Sequence, residues 1–112
     1  MPEITWDDFD KVDIRVGRVV ESEPFPEARK PSIKLVVDFG ASIGTRRTSA
    51  QLTTYYEPEA LVGRQVVAVV NFPPKRIAGF KSEVLVLGVP DGDGEVVLLS
   101  PDREVPPGGR MF

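Results

Sequence analysis

The sequence contains no cysteine and no histidine among its 112 residues. Without cysteine the chain cannot form a disulfide framework, a thiolate nucleophile or a zinc cluster of the usual kind. Without histidine it lacks the side chain most often used as a general acid or base near neutral pH, and the commonest ligand of transition metals. We therefore expect a protein that is not an enzyme and that holds neither a metal nor a cofactor, although catalysis by Asp, Glu, Lys or Tyr is still open at this point.

Long apolar runs are also missing. No stretch of eighteen apolar residues could form a membrane-spanning helix. The first ten residues are acidic, whereas a signal peptide begins with basic residues and continues with an apolar segment. We expect a cytoplasmic protein with no membrane insertion. The length and an apolar content of 41% suit one small domain over residues 1–112.

The net charge of -3 conceals an uneven distribution of charged side chains. Residues 1–27 carry three basic and eight acidic side chains, residues 28–81 carry nine basic and three acidic ones, and residues 82–112 carry two basic and six acidic ones. A basic middle segment is what a local anion-binding face needs, because such a face attracts phosphates even when the total charge is negative. Ordinary scatter of surface charge explains the same counts equally well.

A short helix is predicted near the N-terminus. Thr5 is a good N-cap residue, and two acidic residues follow where the helix N-terminus favours negative charge. The pattern predicts a helix over residues 5–10 that carries Trp6 and Phe9. Because so short an element has no core of its own, both aromatic side chains must pack against the rest of the domain or against a second subunit.

Apolar runs of strand length predict an all-β domain. In "IKLVVDFG", Ile33, Leu35 and Val37 alternate with polar or outward positions such as Lys34. "QVVAVVNF" and "EVLVLGV" are nearly all apolar, as expected of strands buried on both sides. A slip of the alternation at Gly17 predicts a β-bulge in the first strand. The five predicted strands lie within residues 14–20, 33–40, 44–52, 65–72 and 83–89.

Turn residues predict how these strands are joined. "PFPEARKP" carries three prolines and cannot be a central strand, while "PEALVG" gives one helical turn. "DGDG" leads into "EVVLLS" as a hairpin. A short N-terminal helix, a short helix between strands 3 and 4, and no βαβ pattern predict a five-stranded Greek-key barrel of the OB type. That fold commonly binds oligonucleotides or oligosaccharides, although fold alone does not define function.

The basic side chains of the middle segment are the strongest candidate site. In a small barrel they can converge on one surface and contact phosphate or sugar. Three of them lie in "NFPPKRIAGFKSE", where two prolines stiffen the strand exit and a glycine permits a tight return, so that the cations are held in place before binding. The alternative interpretation is that this loop is a corner of the barrel made rigid by proline, with its charged side chains in water and no ligand bound. The candidate basic residues are Lys34, Arg46, Arg47, Lys75, Arg76 and Lys81.

Other candidate sites are weaker. Tyr55, Tyr56 and Phe80 could stack on unpaired bases, but packing of the helical turn and of the barrel end explains them as well. "DGDGE" matches only the first part of an EF-hand calcium loop, and a hairpin turn accounts for it. Ser49 and Ser82 are possible nucleophiles, but neither lies in a Gly-x-Ser-x-Gly turn and no histidine can activate them.

Four segments resemble a known family: "FDKVDIRVGRVVESEPFPEA", "SAQLTTYY", "ALVGRQVVAVVNFPPKRIAGFKSEVLVLG" and "VVLLSPDREVPPG". Together they are similar to the CsaA branch of the OB-fold tRNA-binding domains, which are also appended to some methionyl- and tyrosyl-tRNA synthetases. The resemblance extends from Phe9 to Gly109. The family signature Asn-x-x-Pro-x-Lys/Arg-x-x-Gly-x-x-Ser-Glu falls on Asn71, Pro74, Lys75, Gly79, Ser82 and Glu83.

The resemblance implies several functional properties. It implies tRNA binding by shape and backbone, which adds Asn71 and Ser82 to the basic residues as tRNA-binding candidates. It implies a homodimer formed through N- and C-terminal extensions, and a second subunit would cover Trp6, Phe9, Met111 and Phe112. For this branch it also implies a chaperone that binds unfolded or precursor polypeptides for protein export. tRNA is therefore the expected partner, and precursor polypeptides or export machinery are alternatives.

Overall fold

The computed structural model describes residues 1–112 as a mostly β protein with two short helices. Neither helix has the length and apolar character needed to span a membrane. The elements in chain order are α1 (Trp6–Asp10), β1 (Ile14–Phe25), β2 (Ser32–Asp38), β3 (Thr45–Ala50), α2 (Pro58–Leu61), β4 (Gln65–Val69), β5 (Lys75–Ile77), β6 (Phe80–Ser82), β7 (Leu85–Val86), β8 (Gly88–Pro90) and β9 (Val96–Leu98).

The strands form one curled antiparallel sheet and two small hairpins. The sheet has the order β3-β2-β1-β4-β7, and β5-β6 and β8-β9 are separate two-stranded ribbons. The long strand β1 lies at the centre and pairs with β2 along one edge and with β4 along the other. This arrangement confirms the predicted all-β, OB-like fold with a short N-terminal helix and a short helix between the third and fourth strands.

The local signals for both helices are confirmed. The Thr5 hydroxyl accepts a hydrogen bond from the backbone N–H of Asp8, and the Asp8 carboxylate accepts one from the Thr5 N–H. This reciprocal capping box satisfies two backbone donors that a helix leaves free at its start. In α2, Pro58 occupies the first turn, where its missing N–H costs nothing.

Three details of the strand prediction are wrong. The bulge in β1 lies between Val19 and Glu21, whereas Gly17 pairs regularly with Val66 of β4. Strand β1 continues through Pro24 to Phe25, so that part of "PFPEARKP" is strand. The run 83–89 is divided between β7 and β8 because its residues pair first with β4 and then with β9.

The main core lies inside the curled sheet. It contains the inward side chains of β2, namely Ile33, Leu35 and Val37, together with Phe39 and Leu61. The face that the alternation in "IKLVVDFG" predicts to be buried therefore lies in the core. A smaller apolar cluster, Ile14, Val67 and Val69, lies apart from it, with Phe9 and Leu87 packed against it.

Candidate nucleic-acid interface

The loop between the two apolar runs is itself a β-hairpin. In β5-β6, Lys75 pairs with Ser82, Arg76 with Lys81, and Ile77 with Phe80. Ala78 and Gly79 form the turn with φ angles of 48° and 79°. Two-residue hairpin turns in which both central residues have positive φ match the twist of the flanking strands. We call residues 75–82 the basic hairpin.

The two faces of the basic hairpin differ in character. Side chains that pair directly across a ribbon lie on the same face, and successive pairs alternate between faces. Phe80 is buried, so the Ile77–Phe80 face is turned toward the barrel, and Arg76 and Lys81 lie together on the other face, both exposed. The structure contains four ion pairs, and none of them involves Lys75, Arg76 or Lys81.

Phe80 fixes the basic hairpin to the outer surface of β1–β3. Its ring meets the Phe25 ring edge-on, with the centroids 5.4 Å apart. Lys34 Nζ lies 4.5 Å from the Phe25 centroid and 5.0 Å from the Phe80 centroid, and Arg47 Cζ lies 4.6 Å from the Phe80 centroid. Two predicted site cations thus cover two buried rings. Phe80 is only 7% exposed, which leaves no ring face for a nucleotide base.

Arg46 and Arg47 are separated by the alternation of β3. Arg47 pairs with Val36 and lies on the outer face with Lys34, whereas Arg46 pairs with Val37, whose side chain is in the core. The structure therefore brings Arg47 toward Lys34 and the basic hairpin, and it does not bring Arg46 there. The Arg46 guanidinium instead donates to the neighbouring carbonyl of Thr45.

Two acidic residues that the sequence reasoning missed lie beside these cations. Glu23 pairs directly with Lys34 across β1 and β2, and Glu21 pairs with Val36. Glu21 and Glu23 line a shallow pocket with Lys34, Arg47 and Phe80. The positive surface is therefore bounded by carboxylates along β1. Their alternation in β1, with Phe25 next on the same face, is a sequence signal that could have revealed this boundary.

Ser82 and Glu83 attach the end of the basic hairpin to β3. The Thr48 hydroxyl donates to the Val84 carbonyl at 2.8 Å and lies 3.1 Å from the Ser82 hydroxyl. The Glu83 N–H donates to the Arg47 carbonyl at 2.7 Å, and the Glu83 carboxylate accepts from the Arg47 N–H at 3.0 Å. These polar contacts close the barrel between β3 and the segment after β6, and we call them the polar seam.

Asn71 anchors the start of the same loop. Its amide oxygen accepts from the Asp13 N–H at 3.0 Å, and its amide nitrogen donates to the Lys11 carbonyl at 2.7 Å. Asp13 in turn binds the Arg15 guanidinium at 2.6 Å, and the pKa of Asp13 lies below its usual range because of that hydrogen bond, with further lowering by Arg110. The side chain of Asn71 is therefore used within the chain.

The remaining aromatic candidates also have partners within the chain. The Tyr56 hydroxyl accepts from the Leu98 N–H at 3.0 Å, and its ring lies 5.2 Å from the Arg64 guanidinium carbon. Tyr55 is exposed and donates from its hydroxyl to Asp91. Asp91 also accepts backbone N–H bonds across the β8-β9 turn. The prediction that "DGDGE" forms a hairpin turn is therefore confirmed.

An apolar cleft opens on the other side of the basic hairpin. Its basic rim includes Arg29 and Lys30. A neighbouring pocket lined by Lys75 shares Ile77 and Leu85 with this cleft. The larger residues of the cleft's aliphatic lining are Leu52, Ile77, Leu85, Val86 and Val96.

The termini present a second apolar surface. Trp6 is 83% exposed, and the side chain of Phe112 is fully exposed. They line a shallow groove with Ile4 and Phe9. The C-terminal tail reaches this region because the Met111 N–H donates to the Ile14 carbonyl, and Met111 itself is 45% exposed. We call Trp6, Phe9, Met111 and Phe112 the terminal patch.

The sequence of residues 14–110 matches a family model described as "Putative tRNA binding domain". The chain is 44% identical over 110 residues to methionine–tRNA ligase 1 of Sorangium cellulosum. That match covers 98% of this chain and 15% of the ligase. The chain therefore spans only a small part of the curated ligases that it matches.

Two solved structures of chaperones match this chain over their whole length. The chaperone CsaA from Bacillus anthracis has a TM-score of 0.91 and 54% identity over 99% of this chain and 100% of that one. The CsaA chaperone protein from Picrophilus torridus has a TM-score of 0.90 and 51% identity over 98% and 100% of the two chains.

Proposed function

The chain belongs to the tRNA-binding domain family, and we propose that it is a non-enzymatic protein that binds the phosphate backbone of tRNA. The direct contacts come from Arg76 and Lys81 on the outward face of the basic hairpin. Lys75 adds positive charge from the opposite face, and Lys34 and Arg47 extend the positive surface across β2 and β3. Of the other candidates, Asn71 and Ser82 support the hairpin from its two ends, and Arg46 contributes only to the general field.

The observation that carries this proposal is the direct pairing of Arg76 with Lys81 on the exposed face of the hairpin. Like charges opposite each other on a two-stranded ribbon repel and destabilise it. No acidic side chain forms an ion pair with either of them. An RNA phosphate between them would relieve this repulsion, which gives the pair a function that a purely structural hairpin would not need.

The mode of binding follows from the state of the aromatic side chains. Phe80 is buried beneath Lys34 and Arg47, and Tyr56 is held by Arg64 and by the Leu98 N–H. Beside Lys75, the ring of Phe72 is 53% exposed and is free to stack on a base. Around Arg76 and Lys81 the surface is suited to phosphate and sugar contacts, because the rings of Phe80 and Tyr56 are held within the chain. Such contacts recognise tRNA with little dependence on its base sequence.

Fluorescence anisotropy of labelled bulk tRNA tests this function. Neutralising several phosphates releases bound counterions, so affinity should fall by about an order of magnitude or more between about 50 and 200 mM salt. Absence of binding at the lower salt concentration would show that repulsion of RNA by the acidic ends of the chain outweighs attraction by the basic segment. That result would refute the proposed function.

The same proposal includes a homodimer formed through the terminal patch. Exposed apolar groups of this size on a domain this small are typical of protein interfaces. Light scattering after size exclusion should give twice the chain mass, and Trp6→Ser should shift the protein toward the monomer. Tyr55→Ser, at an exposed ring outside the patch, is the control and should leave the mass unchanged.

Polypeptide binding is the second candidate function, because the apolar cleft has an aliphatic lining and a basic rim. A cytoplasmic chaperone that holds precursor polypeptides for export could bind their apolar side chains there. Binding of an unfolded polypeptide to the cleft should weaken little as salt rises, because apolar burial does not depend on counterion release. If the affinities for tRNA and for the unfolded polypeptide both fell steeply as salt rose, a separate polypeptide-binding function would be contradicted.

A further inference from the structure

Glu83 is an acidic residue next to the cations of the basic hairpin, two positions after Lys81. A carboxylate at this place lowers the local positive potential and should disfavour RNA. Its side chain nevertheless faces the protein, where it accepts the Arg47 N–H at 3.0 Å. The backbone N–H of the same residue donates to the Arg47 carbonyl at 2.7 Å.

These two bonds substitute for a missing step of the β-ladder. Strand β3 is the edge of the five-stranded sheet, and an edge strand presents unpaired backbone N–H and C=O groups. The segment after β6 reaches Arg47 with one backbone donor, and the Glu83 carboxylate supplies the acceptor. One of the contacts that close the barrel at this point therefore depends on the length of the Glu83 side chain.

The closure also fixes the basic hairpin. Arg47 is held by Glu83 through its backbone, while its guanidinium lies over the Phe80 ring of the hairpin. Thr48 continues the polar seam to Ser82 and Val84. A loosened bond between Glu83 and Arg47 would release both the end of the hairpin and the side chain that covers its buried ring.

We propose that Glu83 is a positioning residue for RNA binding, which holds the basic hairpin against β3 through the Arg47 N–H without touching RNA. This inference rests on the proposed tRNA-binding function for its affinity readout. It predicts that tRNA affinity depends on the length of the Glu83 side chain and is not increased by its negative charge.

Two conservative variants separate reach from charge. Glu83→Gln keeps the length and the acceptor oxygen, and it removes the charge. Glu83→Asp keeps the charge, but it is one methylene too short to reach the Arg47 N–H. Electrostatics alone predicts tighter tRNA binding for Gln and no change for Asp. Positioning predicts binding by Gln at least as tight as wild type, and weakening of about three- to tenfold for Asp, the value of one lost hydrogen bond.

Glu59→Gln and Glu59→Asp are the matched controls, since Glu59 is exposed in α2 and makes no ion pair. Neither control should weaken binding. tRNA affinity of Glu83→Asp equal to wild type would overturn the inference, as would an equal loss in the two Glu59 variants.

Hydrogen exchange of the RNA-free protein provides a readout that does not depend on RNA. Backbone amides of residues 75–82 should exchange faster in Glu83→Asp than in wild type or Glu83→Gln, while amides of β4 keep their protection and show that the fold persists. Unchanged exchange in the hairpin would overturn the inference. If wild type fails to bind tRNA, the proposed function falls, and the exchange data still decide whether Glu83 anchors the hairpin.

Discussion

The side-chain oxygen of Asn71 accepts a 3.0 Å hydrogen bond from the backbone N–H of Asp13, which lies 58 positions earlier in the chain. The amide nitrogen of Asn71 donates to the carbonyl of Lys11, so one side chain joins the exit of β4 to the segment after α1. Two prolines follow Asn71 and stiffen the path to Lys75. The start of the basic hairpin is therefore fixed to the N-terminal segment.

Asn71→Ala should lower the free energy of unfolding by about 0.5–1.5 kcal/mol for each of the two hydrogen bonds that are lost. Urea unfolding followed by circular dichroism measures the change. Gln51→Ala is the matched control, because Gln51 is exposed and its amide makes no hydrogen bond within the chain. A loss for Gln51→Ala as large as that for Asn71→Ala would contradict the anchoring role.

Asp13 should make stability depend on acid pH. The hydrogen bond from Arg15 keeps the pKa of folded Asp13 below its usual value, so the unfolded chain takes up the proton first as the pH falls. The stabilisation is complete above about pH 4, the ordinary Asp pKa, and is lost as the pH falls through the lower pKa of the folded state.

Urea unfolding between about pH 2.5 and 6 tests this dependence. The difference in unfolding free energy between wild type and Asp13→Asn should shrink toward the acid end of the series. Asp102→Asn, at an exposed carboxylate without an ion pair, serves as the control, and its difference from wild type at the neutral end of the series should be smaller than that of Asp13→Asn. A constant difference for Asp13→Asn would refute the prediction.

Removal of one hairpin cation should change the salt dependence of tRNA binding. Lys81→Gln should weaken binding to all tRNAs alike and reduce the slope of log affinity against log salt by about one. Arg103→Gln removes an exposed charge outside the hairpin and should preserve the slope.

Charge reversal at Lys75, Arg76 and Lys81 together should abolish tRNA binding and spare polypeptide binding. Unchanged tRNA affinity in the triple variant would rule out the basic hairpin as the site.

Gly17 allows β1 to approach the core closely. A Cβ atom at this position would lie 2.5 Å from Val37 Cγ1 and 2.8 Å from the Phe39 ring. Gly17→Ala should therefore cost about 1–3 kcal/mol of stability through overpacking, measurable by urea unfolding. Gly92→Ala meets nothing within 4 Å and should stay within about 0.5 kcal/mol of wild type. Similar effects at both glycines would disprove the steric explanation.

Ala78 stores strain at the tip of the basic hairpin, since its φ of 48° is unfavourable for a residue with a Cβ atom. Asn is better suited to this conformation, and Asn-Gly is the preferred pair for such a turn. Ala78→Asn should stabilise the hairpin against local opening by about 0.5–1 kcal/mol, seen as slower amide exchange in residues 75–82. Ala41→Asn, at an exposed turn residue with ordinary φ, should leave that exchange unchanged.

Local signals in the sequence were sufficient for the fold class and for several elements. Thr5 and Asp8 form the capping box, Pro58 begins α2, and the alternation in β2 places Leu35 in the core. Each of these features depends on residues within a few positions of one another, so their pattern can be read without knowledge of the rest of the chain. The sequence also located the cationic loop "NFPPKRIAGFKSE", but it did not predict the two short strands within it.

Only the tertiary structure shows which of the candidate side chains are held by contacts within the chain. The sequence places Asn71 and Glu83 at the two ends of the basic loop and Arg47 on the predicted strand 44–52, but it does not show that their partners are Asp13, the backbone of β3 and Phe80. Those contacts join residues far apart in the chain, and they form because the barrel has to satisfy an edge strand and two loop ends. A local pattern determines which face a side chain takes, and long-range closure determines whether that side chain is free to bind a ligand.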